Sequence, residues 1–233
     1  MIIVLLVFFT GAAISSFFNV VIERREKKED WICDRSRCDH CGKIIPWQYL
    51  IPVAGYFLSK KSCTCGEKIS PLHPVTETFG GIIAVLVLFI IQEREVDGLV
   101  FSFLMAYFLL VALEDIKYKE VYTLELFLCA VFLGIYKVIG EPLYFLCGGF
   151  LFILLGAIYL LFPKGFGEGD IYFGSLLALL LPSIWSSYLY FTASFVLAAV
   201  VGLALKWKGE SVRHLPMFPF FLTGFLTVYL FFG

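Results

Sequence analysis

Residues 1–28 read MIIVLLVFFTGAAISSFFNVVIERREKK, an uncharged run of 22 residues followed at once by four basic residues and two acids. A helix crosses the ~30 Å hydrocarbon core with ~20 apolar residues, so this stretch has the length and chemistry of a membrane span. No basic residue precedes the apolar run, which argues against a cleaved secretory signal and for a retained helix. The basic cluster behind it predicts an N-terminus outside and a cytoplasmic segment from residue 23 onward.

The rest of the chain repeats the pattern. Its 233 residues are 60% hydrophobic and 18% aromatic, with a mean hydropathy of +0.89; soluble domains are about 45–50% apolar. Further apolar runs at 75–91, 99–114, 121–139, 142–162, 171–184, 186–205 and 215–232 predict an all-α polytopic membrane protein of about eight transmembrane helices. The segments this places inside, 23–74, 115–120, 163–170 and 206–214, carry sixteen of the 18 Lys and Arg residues, and the reverse orientation would break the positive-inside rule. The run 171–184 is short, but making it re-entrant would put Lys206, Lys208 and Arg213 outside, so it is predicted to span.

Three parts follow: a first transmembrane helix at 1–22, a cysteine-rich cytoplasmic insertion at 23–74, and a transmembrane bundle at 75–233. A net charge of -1 argues against a nucleic-acid partner, which leaves a strongly basic footprint, and membrane lipid is the expected surrounding. The external loops 92–98 and 140–142 are short and acidic, without room for an extracellular domain. The 26 Phe and 12 Tyr read mainly as lipid-facing surface and interfacial anchors.

Two acids stand out on this map. Asp115 ends the third predicted helix in VALEDIKYKEV, and Asp170 opens the sixth in KGFGEGDIYFG, so carboxylates far apart in sequence share one membrane face. An acid at that depth is costly unless it has partners or a function, although two ordinary interfacial acids would look the same. Gly165, Gly167 and Gly169 remove side-chain bulk before Asp170, as a close backbone approach requires. Two carboxyls held together share one proton, one activating water while the other protonates a carbonyl oxygen, which is peptide hydrolysis without a covalent intermediate. Glu77, Glu114, Glu120, Glu125 and Glu168 also lie near that boundary, so depth alone does not select the pair. Rival chemistries are thin: there is no zincin histidine pair, no GxSxG elbow and no Walker loop, and His40, His73 and His214 are scattered.

GEGD resembles the GxGD signature of intramembrane aspartyl proteases, and the chain as a whole resembles one branch of them, the type 4 prepilin peptidases, or prepilin leader peptidase/N-methyltransferases. The resemblance is carried by GAAISSFFNVVIERR in the first helix, CDHCGKIIPWQYLIPVAGYFL and CGEKISPLHPVTETFGG in the insertion, and LPMFPFFLTG before the last helix. It implies that Asp115 and Asp170 are the catalytic pair, with Gly167 and Gly169 as signature glycines. It further implies prepilin or pseudopilin substrates, an inner-membrane location, and S-adenosylmethionine as donor for methylating the new N-terminal residue. Tyr172 stands where family members often carry Lys, which removes any role assigned to that Lys. No glycine-rich nucleotide fingerprint supports the methyl transfer independently, so a peptidase without it stays open. So do a small transporter using paired acids and a non-catalytic assembly protein.

Five of the seven cysteines fall in the insertion, where reduced thiols in a cluster point to metal rather than disulfides. Cys38-x-x-Cys41 has zinc-knuckle spacing, and with Cys63 and Cys65 it makes a four-thiolate set for a structural zinc. Cys63-x-Cys65 is one residue tighter than the family's pair, so Cys33, His40 and His73 are possible substitutes. Cys129 and Cys147 lie in apolar runs and read as packing residues.

Overall fold

The structure is a computed structural model that describes residues 2–30, 35–38, 40–94, 96–119, 121–140, 142–162, 166–209 and 215–233. Gly165, Cys33, Glu120, Arg213 and His214 lie outside the described residues. The elements are α1 (Ile2–Lys27), a 3-10 turn (Trp47–Tyr49), α2 (Ala54–Leu58), α3 (Leu72–Glu93), α4 (Gly98–Tyr118), α5 (Thr123–Val138), α6 (Phe145–Leu161), α7 (Glu168–Ala178), α8 (Ile184–Trp207) and α9 (Phe218–Phe232). Every predicted apolar run has its helix, and the described residues form no strand beyond two isolated bridges. The chain is an all-α polytopic membrane protein: α1, α3, α4 and α8 are each long and apolar enough to cross a membrane, and α6 and α9 are shorter apolar helices.

The sixth predicted segment differs from its expectation. Helix α7 starts earlier than residue 171 and stops at Ala178, giving 11 residues, or about 16 Å at ~1.5 Å per residue, well short of the hydrocarbon core. Two local signals end it. Pro182 biases the preceding residue away from helix, and Ser183 caps α8, its side chain accepting from the Ser186 amide at 3.0 Å. The segment between is irregular, and the Tyr144 amide donates to the Leu179 carbonyl at 2.7 Å, closing α6 and α7 as a hairpin.

The chain divides into two compact units, Met1–Val85 and Leu86–Gly233. In the first, α1 and α3 meet through small residues. A Cβ at Gly80 would lie 2.4 Å from Ser15 Cβ and 2.9 Å from the Gly11 carbonyl oxygen. Small residues allow backbones this close in membrane helices. Gly80→Ala gains ~1 kcal/mol of helix propensity but overpacks the crossing, at a cost of ~1–3 kcal/mol. We expect a net loss of stability, read as a lower unfolding temperature in detergent; an unchanged midpoint would mean that the helices part freely.

In the second unit α9 is central, packing on α4, α7 and α8. Its Phe221 and Phe225 are fully buried with Phe101, Phe108, Phe173 and Tyr190. The aromatic residues therefore divide between a ring-packed core and a larger exposed set that includes Phe103, Leu-flanked Phe127 and Trp207.

Candidate active site and metal centre

Helix α4 begins with Asp97, whose side chain accepts from the Leu99 and Val100 amides at 3.1 and 2.9 Å, and it ends with Lys119 in the left-handed region. Asp115 sits in its last turn, 7% exposed. Its Oδ2 accepts from the Phe218 amide at 3.0 Å, so it caps the first turn of α9, whose N-terminal dipole favours a carboxylate. Asp170 occupies the third position of α7, and its Oδ2 accepts from the Gly167 amide at 2.9 Å. Each acid thus ends a helix with one oxygen.

Phe218 joins them. Its amide holds Asp115, while its ring stacks on Phe173 of α7 with centroids 4.1 Å apart. A Cβ at Gly169 would be 3.4 Å from that same ring, and one at Gly167 would be 3.3 Å from Asp170 Oδ2. Both glycines therefore face the site. Phe108 of α4 meets Phe173 edge-on at 5.4 Å, so three helices are tied by a run of rings. Across this arrangement Asp115 and Asp170 lie within electrostatic range of each other.

The other boundary acids have different engagements. Glu168 accepts from the Tyr159 hydroxyl at 2.9 Å, Glu125 is buried and accepts from Tyr107 at 2.5 Å, and Glu77 belongs to the other unit. Glu114 is buried beside Asp115 on α4. Two contributors were not singled out from sequence. Phe218 could be placed only through the Pro-Phe stretch around it, and Tyr190, whose buried hydroxyl donates to the Gly174 carbonyl at 3.2 Å, gives no local signal.

In the first unit Cys38, Cys41, Cys63 and Cys65 converge, with all four sulfurs within 4.8 Å of one another. Two turns present them. The Cys38 amide donates to the Lys43 carbonyl at 2.9 Å with Gly42 at φ 67°, and the Cys63 amide donates to the Glu67 carbonyl at 2.8 Å with Gly66 at φ 90°. Cys38 and Cys65 sulfurs are 4.0 Å apart and Cys41 and Cys63 sulfurs 3.8 Å; a tetrahedron of ~2.3 Å zinc–sulfur bonds has edges of about 3.8 Å. The four thiols fit a zinc ion, and the tight Cys63-x-Cys65 spacing does not keep them apart. His40 and His73 are outside the cluster, and Cys129 and Cys147 are buried in α5 and α6.

The Cys63 thiol is drawn from its ordinary 9.0 down to about 6, chiefly by the Cys65 backbone amide and then by the Cys38 side chain. A thiol depressed in the folded chain supports that fold above its ordinary value and loses the contribution as pH falls through the depressed one. Zinc needs its thiols deprotonated, so the cysteine turns are expected to loosen and release metal progressively as the medium is acidified below about 6. Metal content after gel filtration at stepped pH reads this, and full retention well below that pH would contradict it.

Residues 9–91 match the family model of the Bacterial Peptidase A24 N-terminal domain. The chain is 34% identical over 77 residues to a prepilin leader peptidase/N-methyltransferase of Myxococcus xanthus, covering 33% of this chain and 23% of that protein. It is 41% identical over 86 residues to a protein of the same name from Klebsiella pneumoniae, covering 34% of this chain and 38% of that one. Over its first third the chain is similar to proteins named prepilin leader peptidase/N-methyltransferase. It spans well under half the length of either relative, and Asp115 and Asp170 lie beyond the stretch that the family model matches. No solved structure matches it.

Proposed function

We propose that this protein is a membrane aspartyl endopeptidase that removes the short leader from prepilin-like or pseudopilin substrates, with Asp115 and Asp170 as the catalytic pair. The observation that carries the reading is that Phe218 holds Asp115 by its amide while its ring packs on Phe173 and beside Gly169 of α7, the helix that carries Asp170. One carboxylate takes a proton from the attacking water as the other gives a proton to the scissile carbonyl oxygen; the roles reverse as the tetrahedral carbon collapses. Gly167 and Gly169 leave room for an extended substrate backbone beside Asp170. The distribution of basic residues supports an N-terminus outside, residues 23–74 in the cytoplasm and a site at the cytoplasmic face of the inner membrane.

The names of the two relatives support a second step, methylation of the new N-terminal amine with S-adenosylmethionine. The four cysteines would hold a structural zinc in the 23–74 insertion, supplying folding energy to a segment poor in apolar core.

Purified protein incubated in detergent with a prepilin is expected to release the leader and, with donor present, to add one methyl group to the cut product, both read by mass spectrometry. Intact prepilin after long incubation with folded protein would overturn the peptidase reading. The cleavage rate is expected to follow a bell-shaped pH profile whose two limbs belong to the pair; a single limb would point to one acid acting alone.

A further inference from the structure

Between the two cysteine turns lies a hairpin that is apolar without being buried. The 3-10 turn at Trp47–Tyr49 and helix α2 pack directly on each other, and Gly55 sits so close to the Tyr49 carbonyl that a Cβ there would collide with it. The hairpin has two faces. Tyr49, Gly55, Tyr56 and Ser59 border the open cleft of the unit Met1–Val85, whereas Trp47, Phe57 and Leu58 do not. Those three are 74%, 61% and 56% exposed, although they lie outside every helix long enough to cross a membrane. Large apolar side chains gathered on one exposed face mark a surface that meets a partner or a membrane.

Two observations select the membrane. The first is position. The Val53 amide, at the bend of the hairpin, donates to Glu77 Oε2 at 2.6 Å, and Val53 is held at φ 63°, a costly conformation for a β-branched residue. Helix α3 is long and apolar enough to cross a membrane, and Glu77 lies about 8 Å along it from Leu72 at ~1.5 Å per residue. The bend is therefore fixed at the level of the first two turns of α3, where Val75 is likewise exposed. The second is chemistry. Residues 42–66 contain Lys43, Lys60 and Lys61 and no acid. Lys60 and Lys61 are exposed and follow α2 closely, their amides donating to the Phe57 and Tyr56 carbonyls at 3.1 Å. A Trp and other large apolar side chains flanked by lysines have the composition of a bilayer interface, and ammonium groups at that depth meet anionic headgroups.

We propose that residues 46–61 form an anchor on an anionic bilayer surface, in which Trp47, Phe57 and Leu58 enter the headgroup region and Lys60 and Lys61 meet lipid phosphates. The anchor ties the cysteine turns that flank it, Cys38–Lys43 and Cys63–Glu67, to the membrane plane, so the insertion does not swing free on its connections to α1 and α3. This role stands whether or not the chain cleaves prepilins, because it draws only on α3 as a membrane helix and on the side chains exposed beside its first turns.

The test reconstitutes the full chain in nanodiscs of phosphatidylcholine and phosphatidylglycerol in equal amounts, with one lipid or the other brominated on its acyl chains near the headgroup. The chain has four Trp, so the emission of Trp47 is read as the difference between the wild type and Trp47→Phe, which keeps an apolar ring. Brominated lipid is expected to quench that emission by about twofold or more, as for a side chain at the headgroup and acyl boundary, while aqueous iodide quenches it little. Brominated phosphatidylglycerol should quench it more than brominated phosphatidylcholine. Lys60→Gln and Lys61→Gln together should remove that preference while circular dichroism and the unfolding midpoint stay as in the wild type. Quenching by iodide but not by lipid would put the hairpin in water, and resistance to both would mean that protein covers it; either result overturns the anchor. Equal quenching of the wild type by the two lipids would overturn the part given to the lysines.

Discussion

Asp115→Asn and Asp170→Asn are each expected to lower the rate of leader cleavage by at least ~10²–10⁴-fold, the range that general acid–base catalysis contributes. The substitution is chosen for the geometry. Asp115 accepts from the Phe218 amide and Asp170 from the Gly167 amide, and an Asn oxygen can take over either bond. The helices α7 and α9 should therefore keep their first turns, and the loss should fall on turnover with little change in substrate affinity. The double variant should be no worse than the poorer single one if, as proposed, the two acids act as a unit. Near-normal turnover by either Asn variant would remove that residue from the pair; a drop accompanied by loss of detergent-resistant fold would report the cap instead of the chemistry.

Cys38→Ser and Cys41→Ser are expected to abolish stable zinc binding by a protein that otherwise carries about one zinc per chain. Structural zinc contributes ~10–16 kcal/mol in isolated zinc-finger peptides at neutral pH, far more than any single side-chain contact in so small a segment. The consequence should be local. Hydrogen exchange should accelerate across the two turns at Cys38–Lys43 and Cys63–Glu67, while amides in the unit Leu86–Gly233 keep their protection. Elemental analysis finding no metal in protein purified without chelators would defeat the assignment, and uniform loss of protection throughout the chain would defeat its locality.

The helices were legible because membrane spans announce themselves by length and hydropathy, and all eight predicted runs coincide with helices. What hydropathy could not supply was the end of α7: the leucines run on to residue 181, and the stop comes from Pro182 and the Ser183 cap. The acid pair could be named from sequence only among several rivals at one depth. Its selection over Glu125 and Glu168 depends on which tyrosine each rival meets, Tyr107 or Tyr159, and such partners are set by helix packing. Glu125 did carry a signal of structural employment, since it stands in the first turn of its helix. The four cysteines named from sequence do come together. A missing residue in the second pair looked damaging, yet Gly66 in the left-handed region turns the chain sharply enough to return both sulfurs to the cluster.

The double employment of the two acids bears on how this kind of protein can change over generations. Each carboxylate caps the start of a helix as well as standing in the candidate site, so if the proposed hydrolysis were abandoned in a lineage, it would still be selected to keep a hydrogen-bond acceptor at both positions. Apolar replacements would cost the helix start as well as the reaction, on the order of 1 kcal/mol for a lost cap. The cheapest route out of catalysis runs through Asn or Ser, which hold the amide and cannot relay the proton. A descendant that has become a silent scaffold would thus be recognised by an amide or hydroxyl at position 115 or 170 within an otherwise unaltered bundle.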